Sequence, residues 1–282
     1  MTALTPPWPP RGACAPVIRW AGGKRWLAPR LAPRIHQRLA ETGGRYIEPF
    51  LGGGAIALDL GLPRMLLGDV CRPLVIMYQA IKRAPDAVMW ALQEYVAQGS
   101  SRERFLQVRA TPSHSHVVTA ARFIYMNKVG FNGLYRENRK GGNSTPYGGG
   151  RSIKFPTAPE LHAVARSLAG ADVQHGSAFA LIARAQAGDV IYADAPYDGM
   201  YTGYNAGGFG PTDQDALAAA LQAAHQRGAH VVASNRATDR IHALYAWAQV
   251  VPVVEQHKLS VKASTRGASA AVLIATDVAL LG

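Results

Sequence analysis

Residues 45–69 constrain the fold more than any other stretch of the chain. Arg45-Tyr46-Ile47-Glu48-Pro49-Phe50 reads as a short strand, Gly52-Gly53-Gly54 as a tight turn, and residues 55–60 as a helix. Met65-Leu66-Leu67 is a second buried strand, ending at Gly68-Asp69. Strand, glycine turn, helix, strand and terminal acid form the opening half of a nucleotide-binding α/β sheet. Asp69 falls where a carboxylate can accept hydrogen bonds from both hydroxyls of a ribose. The chain lacks a full G-x-G-x-x-G, which argues against a pyrophosphate-bearing dinucleotide.

Alternation of this kind resumes late in the chain. Residues 189–193 read as a strand, 213–226 as an Ala-rich helix and 230–233 as a further strand. Three stretches rich in β-formers, 250–254, 259–262 and 271–274, are expected to close the sheet. Between the two portions the pattern changes. Apolar residues recur at helical spacing over 73–119, and basic residues set among glycines, asparagines and aromatics fill 122–154. That segment holds seven cations against one acid, Glu137, with turn signals for a hairpin. Residues 27–39 add a helix near the start, interrupted by Pro33. The expected organisation is one α/β domain in two parts, 1–71 and 157–282, around a helical insert at 72–156.

An apolar content of 48% over 282 residues excludes disorder as the main theme. Thirty Lys and Arg against eighteen Asp and Glu leave a net charge of +12, so the chain should attract polyanions, nucleic acid before membrane. No apolar run approaches the roughly 20 residues of a membrane helix. The proline-broken start lacks the apolar core of a signal peptide. Cys14 and Cys71 make neither a disulfide framework nor a metal spacing, which points to a reducing, cytoplasmic setting. His114 and His116, two apart on a helix, point to different faces, so no metal pair is expected. Gly22-Gly23-Lys24 lacks the earlier glycine and following Ser or Thr of a P-loop, and a kinase reading fails.

The chemistry concentrates at Asp194-Ala195-Pro196-Tyr197, which follows the buried strand Val190-Ile191-Tyr192-Ala193. It brings a carboxylate, a constrained backbone and an aromatic ring to the carboxyl edge of the sheet, where open α/β folds bind ligands. An exocyclic amine such as N6 of adenine is a poor nucleophile because its lone pair is delocalised into the ring. A carboxylate oxygen and a backbone carbonyl could hold its two protons and favour a tetrahedral nitrogen, while Tyr197 stacks on the base.

Five motifs then fall in order over about 215 residues. They are Arg19-Trp20-Ala21-Gly22-Gly23-Lys24, Glu48-Pro49-Phe50-Leu51-Gly52-Gly53-Gly54, the run from Tyr125 to Arg136, Asp194-Ala195-Pro196-Tyr197, and Ser234-Asn235. Together they resemble the Dam-type (D12 class) DNA adenine-N6 methyltransferases. The resemblance implies a Rossmann-like S-adenosylmethionine-dependent methyltransferase sheet with an inserted helical target-recognition domain bearing a β-hairpin. It implies S-adenosylmethionine as methyl donor, no metal, and a duplex base flipped out of its stack at a few kcal/mol.

By the same resemblance Trp20, Ala21, Gly22, Gly23, Lys24, Glu48, Pro49, Phe50, Gly52, Gly54, Asp69 and Asp194 would bind the methyl donor. Asp194, Ala195, Pro196 and Tyr197 would hold the target adenine. Arg19, Asn132, Leu134, Arg136 and Pro146 would lie near the bases, and Phe131 would wedge into the stack. Lys128, Asn138, Arg139 and Asn235 complete the expected DNA contacts, and the loop at 258–266 would touch phosphates. A GATC-like site, a cognate restriction endonuclease as partner, a monomeric state and a cytoplasmic, nucleoid-associated location follow by analogy. One departure stands out: the family's usual tetrapeptide is Asp-Pro-Pro-Tyr, and here Ala195 takes the second position. Alanine keeps the carbonyl acceptor and loses the fixed φ of proline. Rival readings are a DNA-binding module with a degenerate site, a nicotinamide-dependent oxidoreductase, and transfer to cytosine N4.

Overall fold

The computed structural model describes residues 14–138, 142–149, 153–199, 208–254 and 270–281. The start of the chain to residue 13, Arg139, and the basic loop at 258–266 lie outside them, as does the β-rich stretch at 259–262. Among the described residues seven strands make one sheet: β1 Tyr46–Glu48, β2 Met65–Asp69, β3 Ala171–His175, β4 Val190–Ala193, β5 His230–Arg236, β6 Gln249–Val254 and β7 Ala270–Ala275. Their order is β3-β2-β1-β4-β5-β7-β6. The first five are mutually parallel, and β7 runs antiparallel between β5 and β6. Strand order reverses between β1 and β4, the switch point beside which open α/β sheets bind ligands at their carboxyl ends.

Strand alternation divides the buried side chains between two faces. Tyr46, Met65, Leu67, Val190, Tyr192 and Val232 pack with the helices α1 Ala28–Thr42, α2 Ala55–Leu60, α3 Arg72–Arg83, α6 His116–Val129 and α7 Ala158–Ser167. Ile47, Leu66, Ile191, Ala193, Val231 and Ala233 pack with α8 Ala178–Ala183, α9 Pro211–Gln226 and α10 Asp239–Leu244. The fully buried run of β4 is what a parallel strand covered on both sides requires. The fold is therefore the expected α/β sandwich.

The helical region between β2 and β3 also contains α4 Pro85–Ala97 and α5 Arg102–Ala110. α3 packs against the sheet as well as against α6. Gln79 Nε2 donates to the Val173 carbonyl at 2.6 Å, so the helix docks on the edge strand. Beyond α6 the chain makes a 3-10 turn, Phe131–Gly133, and a hairpin-like arm with antiparallel bridges at Gly130–Tyr147 and Glu137–Asn143. Thr145, buried at its base, donates through Oγ1 to the Leu134 carbonyl at 2.9 Å.

Three local differences from the sequence expectation have simple causes. β1 stops at Glu48 because Pro49 cannot donate to a ladder. α9 begins at Pro211, two residues early, because proline suits the first helical turn. β3 is an additional edge strand whose exposed positions, Asp172 and His175, leave only Ala171 and Val173 buried, too thin an apolar signal to read.

The candidate active site

Alternation along β1, β4 and β5 carries Tyr46 and Glu48, Tyr192 and Asp194, and Val232 and Ser234 to the α1–α7 side of the sheet. The last paired position of β4 and β5 is Ala193–Ala233, so Asp194, just past the end of β4, comes to lie beside Ser234, which β5 still holds in its ladder with β7. Ser234 Oγ donates to Asp194 Oδ1 at 2.5 Å, and Lys24 Nζ lies 3.0 Å from the same oxygen. Lys24 is 5% exposed. Its ammonium also donates to the Gly22 carbonyl at 2.6 Å and stands 4.9 Å from the centroid of the Tyr197 ring. The first motif and the tetrapeptide, some 170 residues apart, thus meet at one carboxylate. Asp194 Oδ2 has no hydrogen-bond partner among the described residues.

The glycine turn packs against this group. Gly52 has φ +47°, and a Cβ there would lie 2.7 Å from Cδ1 of Trp20, so both conformation and space demand glycine. Trp20, half-buried, also lies near-parallel to Tyr135 at 6.4 Å, which joins the turn to the hairpin arm. Asp69 accepts from the Gly52 amide through Oδ2 and from the Cys71 amide through Oδ1, each at 2.8 Å. Burial raises its pKa, and the two amides oppose that shift. Glu48 is buried beside Tyr46, whose hydroxyl donates to Oε2 at 2.9 Å. Burial pushes the Glu48 carboxyl up to about 8, the Tyr46 hydrogen bond opposes the rise, and the nearby Asp194 adds to it. Pro49 and Gly54 are buried in the turn, Phe50 meets Phe209 edge to face at 5.9 Å, and Ala21, Gly22 and Gly23 are exposed.

Asn235 is placed differently from the sequence expectation. It lies one residue past Ser234, hence on the opposite face of β5, and is 2% exposed. Its Oδ1 accepts from the Asp198 amide at 2.9 Å and its Nδ2 donates to Gln214 Oε1 at 3.1 Å. Gln214, on the first turn of α9, donates through Nε2 to the Pro196 carbonyl at 2.7 Å. The side chain of Asn235 thus holds the tetrapeptide loop from behind and is not presented to DNA. Strand parity was the signal that separates it from Ser234.

The other expected DNA contacts gather around α6. Phe131 (45% exposed), Asn132, Arg136, Asn138 and Pro146 are exposed, and Leu134 is half-buried. Asn132 holds a left-handed backbone, φ 54°, which asparagine tolerates better than most residues. Arg19 is exposed beside this turn. Buried Asn127 accepts from the Arg19 amide at 2.8 Å and donates to the carbonyls of Arg19 and Gly133 at 2.7 and 2.8 Å. Half-buried Lys128, on the last turn of α6, has its pKa lowered by burial and by the nearby Arg19. Asn127, Ser234 and Gln214 are the organising residues that motif reading did not assign.

Among the described residues there is no cluster of three His, Cys, Asp or Glu side chains able to hold a metal ion. A family profile described as D12 class N6 adenine-specific DNA methyltransferase matches residues 20–259. A DNA adenine methylase of Vibrio cholerae serotype O1 is 34% identical over 252 residues, spanning 86% of this chain and 89% of the relative. A DNA adenine methylase of Escherichia coli K12 is 29% identical over 257 residues, with 88% and 90% covered. The type II methyltransferase M1.LlaDCHI of Lactococcus lactis subsp. cremoris is 28% identical over 272 residues, with 92% and 94% covered.

Proposed function

Because the chain belongs to the D12 class of N6 adenine-specific DNA methyltransferases, we propose that its Asp194-Ala195-Pro196-Tyr197 loop grips the amino group of a flipped adenine. The observation that carries this reading is the divided carboxylate of Asp194. Oδ1 is fixed by Ser234 and Lys24, and Oδ2 remains to accept one amino hydrogen. The Ala195 carbonyl, which no described donor reaches, accepts the other. Two acceptors draw the nitrogen towards a tetrahedral arrangement and return its lone pair from the ring. Tyr197 stacks on the base, its ring already backed by the Lys24 ammonium.

The residues at the switch point suit S-adenosylmethionine. Two acids, Glu48 and Asp69, end adjacent strands, and Gly52 and Gly54 adopt left-handed φ of +47° and +65° that lets the backbone approach a ligand closely. When bound, S-adenosylmethionine supplies the electrophilic methyl group. Asp69 would orient its ribose, and Trp20, Lys24, Phe50 and the acid Glu48 would surround the rest. Direct attack by the oriented amine needs no covalent enzyme intermediate and no metal.

The insert at 72–156 serves as the target-recognition domain on duplex DNA in this reading. Arg19 and Arg136 suit guanine edges and Leu134 a thymine methyl, which favours a GATC-like site. Phe131, an exposed ring on the turn beside left-handed Asn132, fills the gap left by the flipped base. The relative named a type II methyltransferase motivates a restriction endonuclease as partner. A DNA substrate places the enzyme with the nucleoid in the cytoplasm, and no helix among the described residues is long and apolar enough to cross a membrane.

Two measurements test this. Sequencing DNA from cells expressing the protein should show N6-methyladenine in a GATC-like context, and N4-methylcytosine instead would overturn the base assignment. Asp194→Ala should lower methyl transfer by about 100-fold or more while leaving DNA affinity within about threefold. A variant that still turns over at the parental rate would remove Asp194 from the mechanism.

A further inference from the structure

The loop that carries the proposed chemistry is held from the side opposite its working groups. Ala195 is buried against the α8–α10 core, and alanine leaves its own φ free. The restraints come from side chains. Gln214 Nε2 donates to the Pro196 carbonyl at 2.7 Å, Asn235 Oδ1 accepts from the Asp198 amide at 2.9 Å, and Thr238 Oγ1 donates to Asp198 Oδ2 at 2.9 Å. Gln214 and Asn235 are each 2% exposed and hydrogen-bond each other at 3.1 Å. Two buried amides in an apolar core cost free energy unless each polar atom finds a partner, and here the partners are the loop backbone and one another. The Pro196 carbonyl and Asp198 amide are thereby turned towards α9 and β5, and the Ala195 carbonyl between them and Asp194 is left without a donor.

We infer that Gln214, braced by Asn235, is a positioning residue whose hydrogen bond to the Pro196 carbonyl aims the Ala195 carbonyl and the Tyr197 ring at the target base. It supplies from outside the loop the stiffness that a proline at position 195 would supply within the backbone. The inference rests on the loop being the adenine grip. It predicts that Gln214 affects the chemical step and not the binding of either substrate, because no part of it faces them.

The test is a double-substitution cycle read by single-turnover methyl transfer into duplex DNA. Gln214→Met keeps the side-chain volume and removes both of its hydrogen bonds. Beside Ala195 it should slow the chemical step about tenfold, with the affinities for DNA and S-adenosylmethionine held within about twofold. In the Ala195→Pro background the same change should slow the step less than about threefold, because φ is then fixed covalently. Hydrogen exchange supplies a readout independent of turnover: the Asp198 amide should exchange faster in Gln214→Met. An unchanged single-turnover rate, or equal effects in the two backgrounds, would overturn the inference. A parent protein that transfers no methyl group would overturn the grip itself, and unaltered exchange at Asp198 would then sink the brace as well.

Discussion

Glu48 is an acid buried at the end of β1, 3% exposed, with a tyrosine hydroxyl as its neutral partner. Desolvation raises its pKa from 4.5 to about 8, so near neutrality the folded protein retains a proton that the unfolded chain releases. The stability this proton confers is complete below the ordinary carboxylate pKa and is lost as pH rises through about 8. Urea denaturation should therefore show a stability about 2 kcal/mol lower at pH 8 than at pH 6 from this group alone. Glu48→Gln should flatten that difference, since the amide keeps an acceptor for Tyr46 and carries no titrating proton; an equal slope in parent and variant would show that the carboxyl is not held neutral. The sequence told which strand ends carry acids, because glycine turns and Asp-x-Pro-Tyr are local signals. It was silent on which are buried. That depends on strand parity against distant neighbours, the same property that sends Ser234 to Asp194 and Asn235 to Gln214.

At the scale of elements, β1, β2, β4, β5 and α9 were legible because each is a dense apolar run or a long helical period bounded by glycine, proline or acid. β3 and the short helices α8 and α10 were not: β3 buries only two apolar side chains, and each helix spans six residues, too few to show a helical period unless a glycine turn marks its start as it does for α2. The end of α6 is the most informative junction. Asn127 sits inside it, 5% exposed, and ties the Arg19 segment to the Phe131–Gly133 turn by three hydrogen bonds. A Cβ on Gly133 would lie 2.5 Å from that of Arg19, so the backbone of the turn packs directly on the Arg19 side chain and leaves no room for a larger residue at 133. Asn127→Ala would leave an amide and two carbonyls without these partners. A loss of about 2 kcal/mol is expected in urea denaturation, together with weaker DNA binding because Arg19 and Phe131 lose their mutual register. Unchanged affinity in a destabilised variant would confine Asn127 to a structural role.

For the whole molecule, the decisive geometry is the short covalent path from recognition to chemistry. Arg19 touches the turn that bears Phe131, and Lys24 touches Asp194. They lie five positions apart, a span of at most about 18 Å when fully extended. In the proposed reading, base recognition and base methylation therefore share one strip of chain. The same strip and the end of α6 concentrate positive charge: Arg19, Arg25, Lys128 and Lys154 lie close enough that the three neighbours together lower the pKa of Lys128, after burial itself. With a net charge of +12 the enzyme should bind any duplex through its phosphates, and the logarithm of its affinity should fall linearly with the logarithm of salt at about −0.9 per contact. Lys128→Gln should make that slope shallower by about one and weaken all duplexes alike, whereas Arg136→Ala should leave the slope near parental and weaken the cognate site selectively. Titrations of both variants on cognate and scrambled duplexes from 50 to 200 mM salt separate the two roles. If Arg136→Ala weakens the two duplexes equally, the exposed arm holds the backbone and the sequence is read elsewhere on the insert.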